Sequence, residues 1–453
     1  MKTQFDLSVA AAPSVDLDRW QVEFGELVAR IAPRFARVEP RRRVAGFLRG
    51  LLAGLPRTNC WTIAEHAGDH DPRGMQRLLS AAVWDEDGVR DDLRGYVTEQ
   101  LGDPGAVLVV DETGDVKKGT GTVGVQRQYT GTAGRIENAQ VAVYLTYAAP
   151  AAAGGGYAFI DRELYLPKAW TEDPDRCTAA GVPDGVEFAT KPALARTMID
   201  RALDAGTPAA WAAGDEVYGA DPSLRKDLAA RGLGYVLAVA KSHRFTTGIG
   251  PRRAIDLAVR LPKHAWQRLS AGTGAKGQRW YDWALVEVSD PAVPAGSGPN
   301  WLLIRRRISD GQYAFYRAHA PHPVPLTALV AVAGIRWKIE ESFAGGKELA
   351  ALDEHQVRGW TSWRRWTVLA MLAHAFLSVL TAAQPAPTTS QPAIDPSCAG
   401  LIPLTRNEIR RMFTGLTSAI ETVALQMAWS LWRRHHQAVA RASHFKRRAG
   451  QTP

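Results

Sequence analysis

The sequence predicts an α/β fold, a mixed sheet with helices packed against it. Three observations point there. Residues 15–100 read as helical throughout. At Pro104 the texture changes to short apolar and β-rich runs separated by helical ones. The resulting order is three strands, helix, strand, helix, strand, and such an order lays helices against one mixed sheet.

Taken in order, "WTIAEHAGDHDPRGMQRLLSAAVWD" offers a helix over Trp61 to Ala67, a Gly/Asp/His/Pro break, and a second helix from Met75 to Val83. Two short helices around a tight break suit a helix-turn-helix, with Arg73 and Arg77 one turn apart on the second. A plain helical hairpin is the alternative. "GAVLVVDETGD" is an apolar run ending in acid, as expected of a buried strand whose C-terminal end opens to a site. "AQVAVYLTYA" and "YAFIDRELYLP" follow as strands, then "KPALARTMIDRALDAG" as a helix closed by glycine. "PAAWAAGDEVYG" is another apolar run ending in Asp215. "DPSLRKDLAARGLG" is a helix with Asp221 as N-cap, and "YVLAVA" a strand.

Residues 241–324 interrupt this rhythm with three strand-like runs, "QRWYDWALVEV", "NWLLIRRRI" and "QYAFYRAHA". The expected organisation is therefore a helical, DNA-binding region over 1–103 and an α/β core over 104–240. A β-rich insertion over 241–324 and the rest of the core over 325–382 follow. A Pro/Ser/Thr-rich linker over 383–400 and a basic helical tail over 401–453 complete it. No repeat of solenoid period is present.

Composition sets the bounds. The chain has 453 residues, 46% of them hydrophobic and 22% charged, ordinary material for a globular core. No unbroken apolar run of about 18 residues occurs, and the first twenty residues lack signal-peptide shape. Cys60, Cys177 and Cys398 are far apart and odd in number, which suits a reducing cytoplasm and supplies neither a disulfide framework nor a zinc cluster. The formal charge of +9 favours a polyanion such as nucleic acid.

Chemistry enters through three acids. Asp111 and Asp215 each follow an apolar run, and neighbouring strand ends would place them side by side, where open α/β sheets bind ligands. Adjacent carboxylates repel unless a proton or cation intervenes, and a hard divalent cation such as Mg²⁺ or Mn²⁺ suits them. The third acid lies in "IRWKIEESFAGGKE". On a helix Arg336, Glu340, Phe343 and Lys347 share a face, and Glu341 is turned away by about 100°. Two ions held by such acids can activate an attacking oxygen and stabilise a leaving one, while Arg336 and Lys347 grip phosphates.

Arg336, Glu340 and Lys347 make the spacing R-x3-E-x6-K, which resembles the signature closing the catalytic domain of DDE transposases of bacterial insertion sequences. "VLVVDETGDVKKG", "VGVQRQYTG" and "NAQVAVYLTYA" resemble the first-aspartate region of the insertion-sequence-701-type branch, and "GDEVYGADPSLRKDLAARGLGYVLAVAK" its second. The resemblance runs from about residue 20 to 380 and includes "HQVRGWTSWRRWTVLAMLAHAFL". It implies a ribonuclease-H-like fold with Asp111, Asp215 and Glu340 as catalytic and metal-binding residues for two Mg²⁺ or Mn²⁺ ions. It also implies a β-rich insertion between the second aspartate and the glutamate. The implied activity is binding of terminal inverted repeats, cleavage, and joining of 3′ ends to target DNA, in many relatives by a homodimer. Ala333 stands where the fuller signature has tyrosine. A regulator that no longer cuts, and a nuclease without strand transfer, are the rival readings.

Strand alternation turns Glu112 away from Asp111, and Asp115 after Gly114 reads as a solvated turn residue. Lys117 and Lys118 are DNA-contact candidates in a Gly/Thr-rich loop, as are Arg447 and Arg448 in a tail that also carries Arg433, Arg434, Arg441 and Lys446. Trp280, Trp283 and Trp301 suit core packing better than base stacking. His374, within an apolar helix, is expected in the core, and the adjacent His435 and His436 diverge.

Overall fold

A computed structural model describes residues 16–69, 71–248, 250–274, 276–384, 403–415, 434, 437–439 and 441–447. The expected linker from residue 385, together with Arg433, His435, His436 and Arg448, lies outside the described residues.

Helices fill the first hundred residues: α1 (Leu17–Ile31), α2 (Val38–Leu52), α3 (Cys60–His66), α4 (Arg73–Leu79) and α5 (Glu86–Leu101). Their caps explain their starts. Asp16 accepts from the Arg19 amide, Asn59 closes a capping box with Thr62, and Asp85 accepts from the Asp87 and Gly88 amides. The second helix of the expected pair begins at Arg73 and stops at Leu79, short of Val83. Trp84 is buried instead, stacked on Phe35 across an isolated bridge.

The strands are β1 (Val107–Val116), β2 (Gln126–Thr130), β3 (Arg135–Ala148), β4 (Tyr157–Leu164), β5 (Trp211–Gly214), β6 (Gly234–Val239), β7 (Arg244–Thr247), β8 (Gly250–Arg253), β9 (Gln267–Gly274), β10 (Gly277–Val288), β11 (Asn300–Arg306) and β12 (Tyr313–His319). Between them run α6 (Lys168–Thr171), α7 (Pro174–Ala179), α8 (Lys191–Asp204), α9 (Glu216–Ala220), α10 (Pro222–Ala230) and α11 (Ala254–Ala258). After them come α12 (Leu326–Ile335), α13 (Trp337–Ala350), α14 (Trp360–Ala382) and α15 (Arg406–Gly415).

Ten strands form one mixed sheet in the order β2-β3-β1-β5-β6-β12-β11-β10-β9, with β4 paired to β3. Only β1–β5 and β5–β6 are parallel, and the rest are antiparallel. The fold class read from the sequence therefore holds: a mixed α/β sheet flanked by helices, consistent with a ribonuclease-H-like domain. Within residues 241–324, β7 and β8 form a separate two-stranded sheet, whereas the other four strands join the main one. β12 pairs along β6, so β9 to β12 extend the same sheet.

One strand differs from expectation. β1 does not end at Asp111 but runs five residues further to Val116, because β3 pairs with it along the whole length to Val116↔Ala139. Asp115 is thus a strand residue, not a solvated turn. α14 is the expected apolar helix; it is long and apolar enough by composition to cross a membrane, yet 89% of that window is buried inside the protein. It packs on α5, β4 and α13, with His374 fully buried against Phe159.

Candidate active site at the ends of β1 and β5

Asp111 and Asp215 face each other across two parallel strands. The ladder's last pair is Val109↔Ala213, and Asp111 and Asp215 each lie two residues beyond it. Asp215 leaves β5 as the N-cap of α9, its Oδ1 accepting the Val217 amide at 2.8 Å. Asp111 Oδ1 accepts the Glu112 amide at 2.8 Å.

The third acid comes from the helix packed over this edge. α12 and α13 meet at Arg336, which keeps helical geometry, so its i,i+4 pairing with Glu340 survives the junction. Arg336 Nη2 is 3.0 Å from Glu340 Oε1, and Nη1 is 3.7 Å from Asp111 Oδ2. One guanidinium therefore stands between the two carboxylates. Further along the face, Phe343 packs against Tyr144 and Phe159, and Lys347 Nζ donates to Thr113 Oγ1 at 2.8 Å. Glu341 is turned away and paired with Lys338 at 2.9 Å.

Electrostatics at this edge favour a cation. Burial, reinforced by Asp215 and Glu112, pushes the Asp111 carboxyl up to about 7, and Arg336 only partly offsets this. Asp215 is also raised, by burial and then by Glu112. Glu340 is raised by burial against the opposing pull of Arg336. The donors are carboxylate oxygens, the kind that hard divalent cations prefer. As they stand they do not close around a point. Among the described residues no three His, Cys, Asp or Glu side chains could hold a metal ion together, since Glu340 is turned to Arg336.

The residues of β1 beyond Asp111 brace this arrangement on alternate faces. Glu112 accepts from Lys191 Nζ at 2.6 Å and from the Tyr218 hydroxyl at 2.7 Å, tying β1 to α8 and to the α9 helix that Asp215 caps. On the other face, Asp115 Oδ2 is 3.0 Å from Nε2 of His355, a side chain with no exposure. Lys117 is drawn inward, donating to the His355 carbonyl at 3.1 Å, while Lys118 is exposed. Lys117 is thus engaged by the fold, because burial beside His355 and Asp115 gives its ammonium protein partners. Removing the Tyr218 hydroxyl (Tyr218→Phe) is expected to cost about 1.5–3 kcal/mol, since the partner is charged. Urea unfolding at neutral pH measures it.

A cavity of about 610 Å³ opens from Asp215 along the C-terminal end of β6 toward β11 and β12, bounded among others by Lys241, Arg279, Arg305, Arg336 and Trp337. Sequence reasoning did not single out Lys241, Arg279, Arg305 or Trp337. Alternation in "NWLLIRRRI" carried a signal for one of them: Trp301, Leu303 and Arg305 share a strand face.

The remaining candidates lie elsewhere. Arg73 and Arg77 are one turn apart on α4 and exposed, and Arg77 lines a groove of about 730 Å³ with Arg37 and Arg43 of the α2 region. Arg447 ends a helical stretch over 441–447 and is exposed. Trp283 and Trp301 are buried in the core, and Trp280 is half exposed.

A mixed sheet with acids at the ends of adjacent parallel strands, and a glutamate helix laid over that edge, defines a class of α/β proteins with an acidic site at the strand ends. Residues 30–265 match the DDE superfamily endonuclease family. The match covers more than half of the chain, and the chain belongs to that family. It is also similar to a probable transposase for insertion sequence element IS701 from Microchaete diplosiphon, 28% identical over 198 residues. That alignment covers 43% of this chain and 47% of the relative, about half the length of each.

Proposed function

We propose that the protein is a DNA transposase of the insertion-sequence-701 type, with Asp111, Asp215 and Glu340 holding divalent cations, Mg²⁺ or Mn²⁺, two per site. The observation that supports the reading is the register of β1 on β5, whose neighbouring ends carry two half-buried carboxylates close enough to raise the Asp111 carboxyl. When bound, the cations supply Lewis acidity and neutralise charge on the attacking and leaving oxygens of a phosphodiester. Asp111 and Asp215 would present oxygens from a strand pair, and Glu340 on α13, now paired with Arg336, would turn toward them. Arg336, placed between Asp111 and Glu340, would be free to donate to a phosphate where the carboxylates hold cations instead. Lys347, held by Thr113, stands one turn beyond Phe343 as a second phosphate contact.

The DNA partners in this reading are terminal inverted repeats and target duplex. Arg73 and Arg77 on α4, Lys118 at the site, and the basic end with Arg447 and Arg448 would contact phosphates, with a homodimer in the DNA complex. The test is a nicking and strand-transfer assay on a plasmid bearing the inverted repeats that flank the gene, in Mg²⁺ and Mn²⁺. Asp215→Asn and Glu340→Gln should each abolish cutting while DNA binding persists. Cutting at wild-type rate by either variant removes that residue from the site. Binding without cutting in any divalent metal would instead favour a regulator.

A further inference from the structure

We propose that Arg305 anchors a phosphodiester of the nucleic-acid strand in the cavity beside the carboxylates. This rests on the DNA-cleaving reading above and adds a binding subsite on the wall built by residues 241–324.

The argument starts from the strand. Trp301 and Leu303 on β11 are buried on the face that packs into the main core, and Arg305 continues that row where the sheet emerges into the cavity. Its guanidinium carbon lies 4.6 Å from the centroid of the Tyr281 ring, which holds the fork flat. Its Nε is buried with no hydrogen-bond partner.

Arg279 on the same wall and the arginines on the opposite face of the sheet are all engaged. Arg268 and Arg306 share Asp282 at 3.0 Å each. Arg317 holds Asp290 at 3.1 Å, and Arg279 donates to the carbonyls of Ala271 and Gly334. Among the described residues Arg305 has no ion-pair partner. Nε has no surface that a ligand could reach, so the nitrogens this guanidinium can offer a partner in the cavity are Nη1 and Nη2.

The cavity says what that partner is. Lys241, Arg279 and Arg336 line it with Arg305, and its acids, Asp215 and Glu216, lie at the end where the carboxylate site begins. A planar fork on an aromatic platform suits bidentate contact with a phosphate. A strand whose scissile phosphate lies at Asp111 and Asp215 can run along the same cavity, so the next phosphodiesters meet Arg305 and Lys241.

The experiment measures binding by the whole chain without divalent metal, using fluorescence anisotropy of a fluorescein-labelled mixed-sequence single strand and its duplex over a salt series. Arg305→Ala should weaken binding about tenfold at low salt and lower the slope of log affinity against log salt by about 0.7–0.9, the value of one phosphate contact. Arg305→Lys should keep the slope and lose part of the affinity. Arg307→Ala, whose side chain pairs with Asp310 on the outer surface, should leave both unchanged. Thermal melting checks each variant, and the lysine variant carries the test should loss of the Tyr281 stack unfold the alanine one. If Arg305→Ala, folded, binds with wild-type affinity and slope, the subsite is overturned, as it is if a folded Arg305→Lys loses a full unit of slope. Because the readout needs no cleavage, failure here leaves the endonuclease reading intact. A chain that binds as expected yet never nicks DNA overturns that reading and not this one.

Discussion

Asp111→Asn should abolish metal-dependent cleavage, by on the order of a thousandfold or more, and at the same time stabilise the metal-free protein. Both effects have one cause. Burial beside Asp215 and Glu112 raises the Asp111 carboxyl to about 7. The folded state therefore keeps a proton that the unfolded chain releases near pH 4. Stability from that bound proton is fully present below the unfolded value and is lost as pH rises through about 7. At pH 8 the wild type carries a buried, poorly compensated negative charge, and the amide does not. A gain of up to about 4 kcal/mol in the variant at pH 8, vanishing near pH 4, is the expected result of urea unfolding across pH. Mg²⁺ or Mn²⁺ should raise the wild-type melting temperature and have much less effect on the variant. Equal stability of the two proteins at pH 8 would show that the carboxylate is not confined as the geometry requires.

Asp290→Ala should be the most destabilising of the substitutions considered, by about 3–5 kcal/mol. Asp290 follows β10 and is almost fully buried, with Arg225 Nε of α10 at 2.7 Å and Arg317 Nη1 of β12 at 3.1 Å. These two guanidiniums hold its carboxyl below the usual range despite burial. Its contribution is present above the ordinary carboxylate value and disappears as pH falls through the depressed one. Removing the carboxylate leaves two buried cations facing each other. Because Arg225 belongs to the core and Arg317 to the added strands, the loss should loosen the sheet where β6 meets β12. Denaturant unfolding measures the total, and amide exchange along β12 should show the loosening first. A loss under about 1 kcal/mol would mean that water or neighbouring groups replace the carboxylate.

Much of the candidate site is legible in the residues. Apolar runs ending in Asp111 and Asp215 mark strand ends, and helical spacing puts Arg336, Glu340 and Lys347 on one face; the structure places Arg336 and Lys347 against Glu340 and Thr113. Less legible was the length of β1. "ETGDV" has no strand-like alternation, and it is a strand because β3 supplies a continuous ladder beside it. β9 was missed for a similar reason: "QRLSAGTG" is a polar edge strand whose only partner in the sheet is β10. Lys117 looked like a loop cation, but His355, more than two hundred residues away, gives it a partner.

What the sequence by itself determined is local: the period of each element, the caps that start the helices, the excess of positive charge, and which acids and cations share a face. Tertiary structure alone decided the pairings: that β12 joins β6 in one sheet, that Arg336 lies between Asp111 and Glu340, and that Arg305 is left without a carboxylate while Arg306 beside it has one. Periodicity is a property of neighbouring residues, whereas a charge acquires its partner from whichever distant segment the folded chain brings within a few ångströms.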